Sequence, residues 1–349
     1  MKVGITVGDI NGIGPEVIIK SLADPRLLEL CTPVIYGSYK VLSYHKNIVK
    51  DSQVGFHSVS NAKQAIQGKN NLVNCWEDNV SISLGKSTVE GGKYAQMALE
   101  KAMADLKDGH LDALVTAPIN KHAMNLAQFP FPGHTEFFTH ADQKKHSLMM
   151  MISESLKVGL VTNHLPVSEI SGTITKELIM DKVRLMYKAL VEDFGYEKPV
   201  ISVLGLNPHA SDDGLLGDEE EKIIRPAIIE LKKQGILVAG PFAADGFFGS
   251  KQWQKCEGVL AMYHDQGLIP FKALSFGFGT NVTAGLSFIR TSPDHGTAYD
   301  IAGLNVADEK SMRNAIFTAV EMAKSRKEYY ASRENALVRR EKQSAGLNE

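Results

Sequence analysis

The segment from Gly258 to Gly303 reads GVLAMYHDQGLIPFKALSFGFGTNVTAGLSFIRTSPDHGTAYDIAG. It opens with GVLAMY, an apolar run of strand length, and then changes abruptly to His264 and Asp265. The glycine-rich remainder carries further polar side chains suited to binding or catalysis, namely Lys272, Asn281, Arg290 and Asp294. Glycines and other small residues let a ligand approach the backbone closely. A hydrophobic core alone does not require so many polar groups, so the segment predicts a strand that ends in a functional site.

The composition is that of an ordinary globular protein. The chain has 349 residues, 44% of them hydrophobic and 22% charged, which is enough for two lobes with substantial cores. Its 38 basic and 40 acidic residues give no argument from bulk charge for binding nucleic acid or a membrane surface. The three cysteines lack the spacing of a disulfide framework or a thiolate zinc site. No apolar run approaches the roughly 20 residues of a membrane span, so we expect a cytoplasmic protein.

Short apolar strands alternate with amphipathic helices along the chain. Lys2–Val7 predicts a strand, and Gly14-Pro15-Glu16 predicts the start of a helix, because proline suits the first helical turn and an acid complements the helix dipole. Asp112–Thr116 predicts another strand. This alternation is typical of an α/β fold. With no flexible linker in the sequence, we expect a cleft between two closely packed lobes.

Three predicted strands are each followed by a histidine: His164 follows Lys157–Val161, His209 follows Val200–Leu206 and His264 follows Gly258–Tyr263. In open α/β sheets, ligands bind beyond the carboxyl ends of the strands. Neutral imidazoles also ligate divalent metals well. This pattern alone favours neither interpretation, a shared metal site or three ordinary surface histidines.

Cationic and hydroxyl side chains indicate a site for an anion. Gly133-His134-Thr135-Glu136 precedes a predicted helix over Phe137–Ala141, and a helix N-terminus suits a phosphate, although a threonine N-cap explains the same residues. Arg290 offers a fork for phosphate or carboxylate, and Lys272 offers a cation or a base, although either would ordinarily be a solvated surface residue. Their crowding with Asn281 favours a small anionic substrate.

Gly12-Ile13-Gly14 resembles part of a dinucleotide-binding loop. Val17 stands where the third glycine would be, and no acidic residue ends the predicted strand at Tyr36-Gly37. A tight turn between a strand and a helix is therefore the favoured interpretation.

Five longer motifs, GHTEFF, TNHLPV, GLNPHA, AMYHDQGL and FIRTSPDHGTA, occur in this order across nearly the whole chain. They resemble the PdxA family of pyridoxal phosphate biosynthesis, the 4-hydroxythreonine-4-phosphate dehydrogenases. GDINGIGPEV and HGTAYDIAG are also similar to signatures of the isopropylmalate and isocitrate dehydrogenases. The resemblance implies an isopropylmalate dehydrogenase-like α/β fold of two α/β/α lobes with the active-site cleft between them. We expect residues 1–120 and 273–349 to form one lobe, with NAD-binding elements, and residues 121–272 to form the other, with the metal-binding histidines and dimer contacts.

The resemblance also implies roles for individual residues. The implied metal ligands are His164, His209 and His264, and the implied substrate-binding residues are His134, Thr135, Lys272, Asn281 and Arg290. The loop over His295–Gly303 is similar to an adenosine-binding loop, which makes His295, Gly296, Thr297 and Ala298 the candidate contacts for NAD or NADP. Lys272 is the candidate general base, and Asp245 matches a position near the site. The family places each active site at a dimer interface with ligands from both subunits, which implies a homodimer with one zinc, cobalt or magnesium ion per site.

The implied reaction oxidises the C3 hydroxyl of 4-phosphohydroxy-L-threonine with NAD or NADP. The product, 2-amino-3-oxo-4-(phosphooxy)butanoate, then loses carbon dioxide to give 3-amino-2-oxopropyl phosphate. A related dehydrogenase for D-threonate or D-erythronate 4-phosphate would use the same motifs. A metal-dependent hydrolase that needs no dinucleotide is a further alternative, which the nucleotide-loop similarity disfavours. Beyond about Lys324 the polar sequence predicts a helical tail that frays.

Overall fold

A computed structural model of the chain describes residues 1–50, 52–275 and 277–334. Within these ranges, twelve strands form a single sheet. The strands are β1 Lys2–Thr6, β2 Thr32–Gly37, β3 His57–Val59, β4 Asn71–Asn74, β5 Ala113–Thr116, β6 Leu148–Ile152, β7 Lys157–Leu160, β8 Val200–Leu204, β9 Leu237–Phe242, β10 Gly258–Ala261, β11 Thr280–Ala284 and β12 Ile289–Pro293.

Helices cover the sheet between these strands. They are α1 Gly14–Leu22, α2 Arg26–Leu30, α3 Tyr39–Ile48, α4 Val89–Lys107, α5 Lys121–Leu126, α6 His134–Ala141, α7 Val167–Thr173, α8 Lys176–Glu192, α9 Arg225–Lys233, α10 Ala244–Gly249, α11 His264–Ser275 and α12 Lys310–Ala331. The helix predicted to begin at Gly14 does so, with Pro15 in its first turn. Among the helices of the described ranges, none combines the length and the apolar character needed to span a bilayer.

The sheet order is β3-β4-β2-β1-β5-β12-β11-β6-β7-β10-β8-β9. The six strands from β3 to β12 pair in parallel, as do the four from β7 to β9. Between these two runs, β11 is antiparallel to both β12 and β6, and β6 is antiparallel to β7. The predicted α/β fold class is confirmed, with the difference that the strands of both predicted lobes belong to one continuous sheet.

The two parallel runs come from different parts of the chain. The first run combines strands from the amino-terminal third with β12, whereas β6 to β11 lie in the middle of the sequence. The predicted lobe boundary between residues 272 and 273 falls inside α11. The predicted tail is helical as far as Ala331, and residues 335–349 lie outside the described ranges.

The centre of the sheet is buried on both faces. Along β6, Met150 packs into the larger core cluster, whereas Met149 and Met151 pack into a second cluster around Phe247 and Phe271. Successive side chains of a strand point to opposite faces, so a strand covered on both sides is apolar throughout. The three methionines therefore form part of a core strand.

Candidate active site

A cavity of about 260 Å³ collects most of the predicted site residues. It lies beyond the carboxyl ends of β5, β7 and β10 and against β6, β11 and β12. The predicted residues that line it are His134, Thr135, His164, His264, Lys272, Asn281, Arg290, His295 and Gly296. These residues are far apart in sequence, and the parallel strands bring them to one edge of the sheet, as expected for ligand sites in α/β folds.

Arg290 is the most deeply buried charge in this cavity, with 2% of its surface exposed. It lies inside β12, which pairs with β11 through a hairpin turn that begins at Gly285. Its guanidinium donates to Thr116 Oγ1 at 2.6 Å and to Thr283 Oγ1 at 3.1 Å, while Nε has no partner within the described ranges. Burial lowers the pKa of Arg290 to about 9, so the group remains charged near neutral pH.

His134 lies against this guanidinium as a neutral ring. Arg290 Nη2 is 3.1 Å from His134 Nδ1, and burial followed by the charge of Arg290 holds the pKa of His134 well below its usual range. Because arginine only donates, Nδ1 must accept and the proton of the neutral ring is on Nε2. That Nε2 has no partner in the described part of the chain. The pair therefore offers unused donors to an anion.

The N-terminus of α6 adds backbone donors to the same wall. The helix begins at His134, and Gly133 occupies the N-cap position without a side-chain cap. The interpretation of Thr135 as an N-cap is therefore wrong, because it lies inside the first turn. Gly133, His134, Thr135 and Glu136 all line the cavity. Since the first amides of a helix have no intrahelical acceptor, this end of α6 favours a negatively charged ligand.

Lys272 and Asn281 also line the cavity. Lys272 Nζ is 3.4 Å from Asp294 Oδ1, and its side chain is half-exposed. Burial raises the pKa of Asp294, and the Lys272 ammonium opposes that effect. Asn281 Oδ1 is buried without a partner among the described residues. A polar substrate would satisfy this oxygen and find a cation beside it.

Two of the three predicted metal ligands converge in the cavity. The ring centroids of His164 and His264 are 5.9 Å apart. His264 Nδ1 is 2.7 Å from Asp265 Oδ1, a contact that orients the ring and leaves Nε2 free. Burial and then the ammonium of Lys121 lower the pKa of His164, which favours the neutral, ligating form. Two imidazoles facing one space fit a divalent metal but do not complete its shell.

The third histidine lies elsewhere in the same chain. His209 is exposed and follows β8 in a segment that packs beside α10, the helix that carries the exposed Asp245. Residues 209–213 all have positive φ between 46° and 72°, which is costly for residues other than glycine. Within the described ranges, no three histidine, cysteine, aspartate or glutamate side chains are grouped as a metal site.

The four candidate cofactor residues divide into two pairs. His295 and Gly296 line the cavity. Thr297 and Ala298 are turned towards the amino-terminal turn: the Thr297 carbonyl accepts from Ile13 N at 3.0 Å, and Ala298 has a φ of 41°.

The sequence prediction missed Lys121 and Glu136, which also line the cavity. Lys121 is the first residue of α5, where Asn120 caps the helix by accepting from Ala123 N at 2.9 Å. It follows β5 in the same way that the histidines follow their strands, so position in the pattern could have identified it. Glu136 carries no comparable signal, because a glutamate in a first helical turn is common on structural grounds alone.

Comparisons with known proteins agree on one family. Residues 29–319 match the family described as pyridoxal phosphate biosynthetic protein PdxA. A 4-hydroxythreonine-4-phosphate dehydrogenase from Bacteroides thetaiotaomicron is 50% identical over 338 residues, 97% of this chain and 93% of its own length. A relative from Oceanobacillus iheyensis with the provisional name D-threonate 4-phosphate dehydrogenase is 39% identical, over 92% of this chain and 97% of its own.

A solved structure supports the same family. The crystal structure of 4-hydroxythreonine-4-phosphate dehydrogenase from Klebsiella pneumoniae superposes with a TM-score of 0.81 at 35% identity, covering 92% of this chain and 99% of that one. The family match, the relatives and the shared fold extend over nearly all of the sequence, including every cavity residue described above. The chain belongs to the PdxA family of pyridoxal phosphate biosynthetic proteins.

Proposed function

We propose that this chain is a dehydrogenase that oxidises the C3 hydroxyl of 4-phosphohydroxy-L-threonine with NAD or NADP. One observation carries the proposal: a buried arginine, an unused imidazole donor and a helix N-terminus converge in a cavity that also holds two facing histidines. The first three features suit a phosphate or a carboxylate. The names of the relatives support the same substrate class.

The anionic ends of the substrate would be held by two groups of cavity residues. Arg290, His134 and the first turn of α6 with Thr135 would provide donors for the group with most acceptor oxygens, the phosphate. Lys272 and Asn281 would meet the carbon chain that carries the reacting hydroxyl. Fixed anchors at both ends would hold C3 in one orientation towards the dinucleotide.

The metal site would be completed across a homodimer. His164 and His264 of one chain, with the partner subunit's His209, would hold one zinc, cobalt or magnesium ion, which would polarise the C3 oxygen. The surface supports this pairing, because Val167, three residues after His164, is 82% exposed, and Leu215, six residues after His209, is 81% exposed. Large exposed apolar side chains around a half-built site are typical of a protein interface. Asp245, which lies near His209, would reach the same shared site.

Proton transfer would fall to this chain's own side chains. Lys272, in its neutral amine form, would accept the hydroxyl proton as hydride leaves C3 for the nicotinamide ring. The bond from C2 to the carboxyl carbon then breaks, carbon dioxide leaves, and C2 takes up a proton. His295 and Gly296, on the cavity edge, are the candidate contacts for the dinucleotide.

A related substrate is the second candidate function. D-threonate or D-erythronate 4-phosphate carries the same phosphate, carboxylate and neighbouring hydroxyl, so the cavity residues suit it equally well. The Oceanobacillus relative favours keeping this candidate.

The test is reduced-dinucleotide formation by the purified protein, with both substrates and with NAD and NADP in parallel, before and after chelation and metal add-back. We expect faster turnover of 4-phosphohydroxy-L-threonine, lost on chelation and restored by one metal. Preferred turnover of a threonate or erythronate phosphate would transfer the assignment to that substrate. Absence of turnover from folded, dimeric, metal-loaded protein would refute the dehydrogenase proposal.

A further inference from the structure

The amino-terminal turn, residues 8–16, is bonded to the loop of residues 295–307 at several points. Ile13 N donates to the Thr297 carbonyl at 3.0 Å, and Ala307 N donates to Glu16 Oε1 at 3.0 Å. At the centre, the Tyr299 hydroxyl donates to Asp9 Oδ2 at 2.6 Å. The loop is thus held near its start, its middle and its end by a turn that is almost 300 residues away in sequence.

The Asp9 carboxylate lies buried where the amino-terminal turn contacts the 295–307 loop. It is only 1% exposed, and its other oxygen accepts from Asn11 N at 2.9 Å. Burial raises the pKa of Asp9, whereas the hydrogen bonds from Tyr299 and Asn11 lower it. Burial and the bond to Asp9 raise the pKa of Tyr299 above its ordinary range, so the phenol keeps its proton and remains the donor. A hydrogen bond from a phenol to a buried carboxylate is stronger than one between neutral groups.

Close backbone approach explains the glycines of the turn. A Cβ on Gly12 would lie 2.8 Å from the Thr297 carbonyl oxygen, and one on Gly85, in the neighbouring loop, would lie 2.8 Å from the Tyr299 carbonyl oxygen. The glycine that looks like part of a dinucleotide-binding loop therefore makes room for the 295–307 loop. Its Ala298 has the sparsely populated φ of 41°, a conformation that persists only where surrounding contacts hold it.

The opposite end of the loop is anchored by a charged side chain. Lys20 Nζ is 2.8 Å from Glu16 Oε1 and also donates to the carbonyls of Ala307 at 2.8 Å and Asn305 at 3.2 Å. Lys20 and Glu16 thus tie the end of the loop to α1, whereas the part nearest the cavity is restrained by the backbone bond at Thr297 and by the side-chain bond of Tyr299.

We infer that Tyr299 is a positioning residue for the dinucleotide: its bond to Asp9 fixes the loop whose His295 and Gly296 face the cavity. The inference rests on the proposed function, since those two residues are the proposed cofactor contacts. Without the bond, the backbone bond at Thr297 would be left to hold the start of the loop, and the additional ordering needed when the dinucleotide binds would lower its affinity. The phosphorylated substrate, held by Arg290 and α6, would not be affected.

The test compares Tyr299→Phe with the matched control Tyr330→Phe, whose hydroxyl also contacts a carboxylate, Glu192 Oε2 at 2.9 Å, on the exposed side of α12. For Tyr299→Phe we expect the Kd and the KM of the dinucleotide to rise about fivefold to tenfold. The kcat at saturating dinucleotide and the KM of the phosphorylated substrate should stay within about twofold of the parent value. Tyr330→Phe should change none of these quantities.

A second variant separates positioning from general loss of structure. Asp9→Asn and the double variant Asp9→Asn/Tyr299→Phe complete a mutant cycle, and we expect the double variant to be no worse than the poorer single one, because both changes act on one bond. An unchanged dinucleotide Kd in Tyr299→Phe, or equal losses for dinucleotide and substrate, would overturn the inference. If the unaltered protein bound no dinucleotide at all in a fluorescence titration, the proposed function would fail instead.

Discussion

Arg290 shows most clearly how one residue can serve the site at the expense of the fold. The buried guanidinium pairs with hydroxyls and an imidazole, but with no carboxylate of the described residues. Part of the free-energy cost of its desolvation is therefore not compensated. Its sequence context, at the end of an apolar run, predicts an ordinary exposed arginine. Burial follows from the hairpin that places it in a central strand, and pairing across the sheet is a long-range property that the local sequence does not contain.

A bound anion should therefore stabilise the protein through Arg290. We expect inorganic phosphate to raise the Tm of the unaltered protein, because a ligand that binds only the folded state shifts the unfolding equilibrium. In Arg290→Met this shift should vanish, while in Arg184→Met, a change at a half-exposed arginine of α8, it should persist. Thermal scans in increasing phosphate measure the effect, and a shift that survives in Arg290→Met would place the anion elsewhere.

His45, a buried histidine that does not line the cavity, should make the free energy of unfolding fall in acid. Burial lowers the pKa of His45 to about 4, and its Nε2 lies 2.8 Å from the Ile10 carbonyl. In the unfolded chain a histidine titrates near pH 6.5. Between these values the unfolded state binds the additional proton, so the free energy of unfolding falls by about 1.4 kcal/mol for each unit that the pH decreases.

His45→Gln should make that dependence shallower. The glutamine amide can still donate to Ile10 but takes up no proton, so the slope between pH 6 and pH 4.5 should decrease by up to about 1.4 kcal/mol per unit. Denaturant unfolding at several pH values measures it, with His57→Gln on the exposed strand β3 as the control. Equal slopes in both variants would show that His45 is not the group responsible.

Lys121 is the cavity residue that motif matching overlooked. Its ammonium lies close enough to His164 to lower the pKa of that imidazole, and it lines the same wall as Glu136. We expect Lys121→Met to raise the KM of the phosphorylated substrate about tenfold or more, as for loss of a charge-assisted contact. The Kd of the dinucleotide should not change. Lys101→Met on the exposed face of α4 is the control, and an unchanged substrate KM in Lys121→Met would remove this residue from the site.

At the level of elements, buried strands were easier to predict than an exposed strand or the start of a helix. The apolar runs that become β1, β5, β7 and β10 were recognised because each is short, buried and followed by polar residues. The exposed, three-residue β3 has no such pattern. The start of α6 was placed three residues late, because its N-cap is Gly133 and glycine is a weaker signal than serine or aspartate.

The docking of the amino-terminal turn against the 295–307 loop is an element-scale feature with its own test. Gly12→Ala would place a methyl group 2.8 Å from a backbone oxygen, which the neighbouring chain can relieve only by moving. We expect the free energy of unfolding to fall by about 1 to 3 kcal/mol, as for an overpacked core position. Gly55→Ala, where a Cβ would meet nothing within 4 Å, is the matched control. Equal stability of the two variants in urea would argue against close docking.

For the whole molecule, the sequence predicted the identity of the site residues more accurately than the way in which they assemble. The motif resemblance led to nine cavity residues, because chemistry-bearing side chains follow strand ends in a recognisable pattern. It could not reveal that one continuous sheet carries both parallel runs, nor that His209 and Asp245 lie apart from the other predicted residues. Both facts depend on the sheet order, which is set by pairings between strands more than 100 residues apart, such as β5 with β12.

The separation of His209 from His164 makes it possible to test directly whether a partner subunit completes the dehydrogenase site. His164→Ala and His209→Ala homodimers should each fail to reduce dinucleotide with 4-phosphohydroxy-L-threonine. After the two are unfolded together and refolded, hybrid dimers would contain one site with both changes and one with neither. We predict that the mixture regains about a quarter of the unaltered activity, since half of randomly paired dimers are hybrids with one intact site. A mixture that stays inactive, while unaltered dimers refold to full activity by the same procedure, would contradict the shared site.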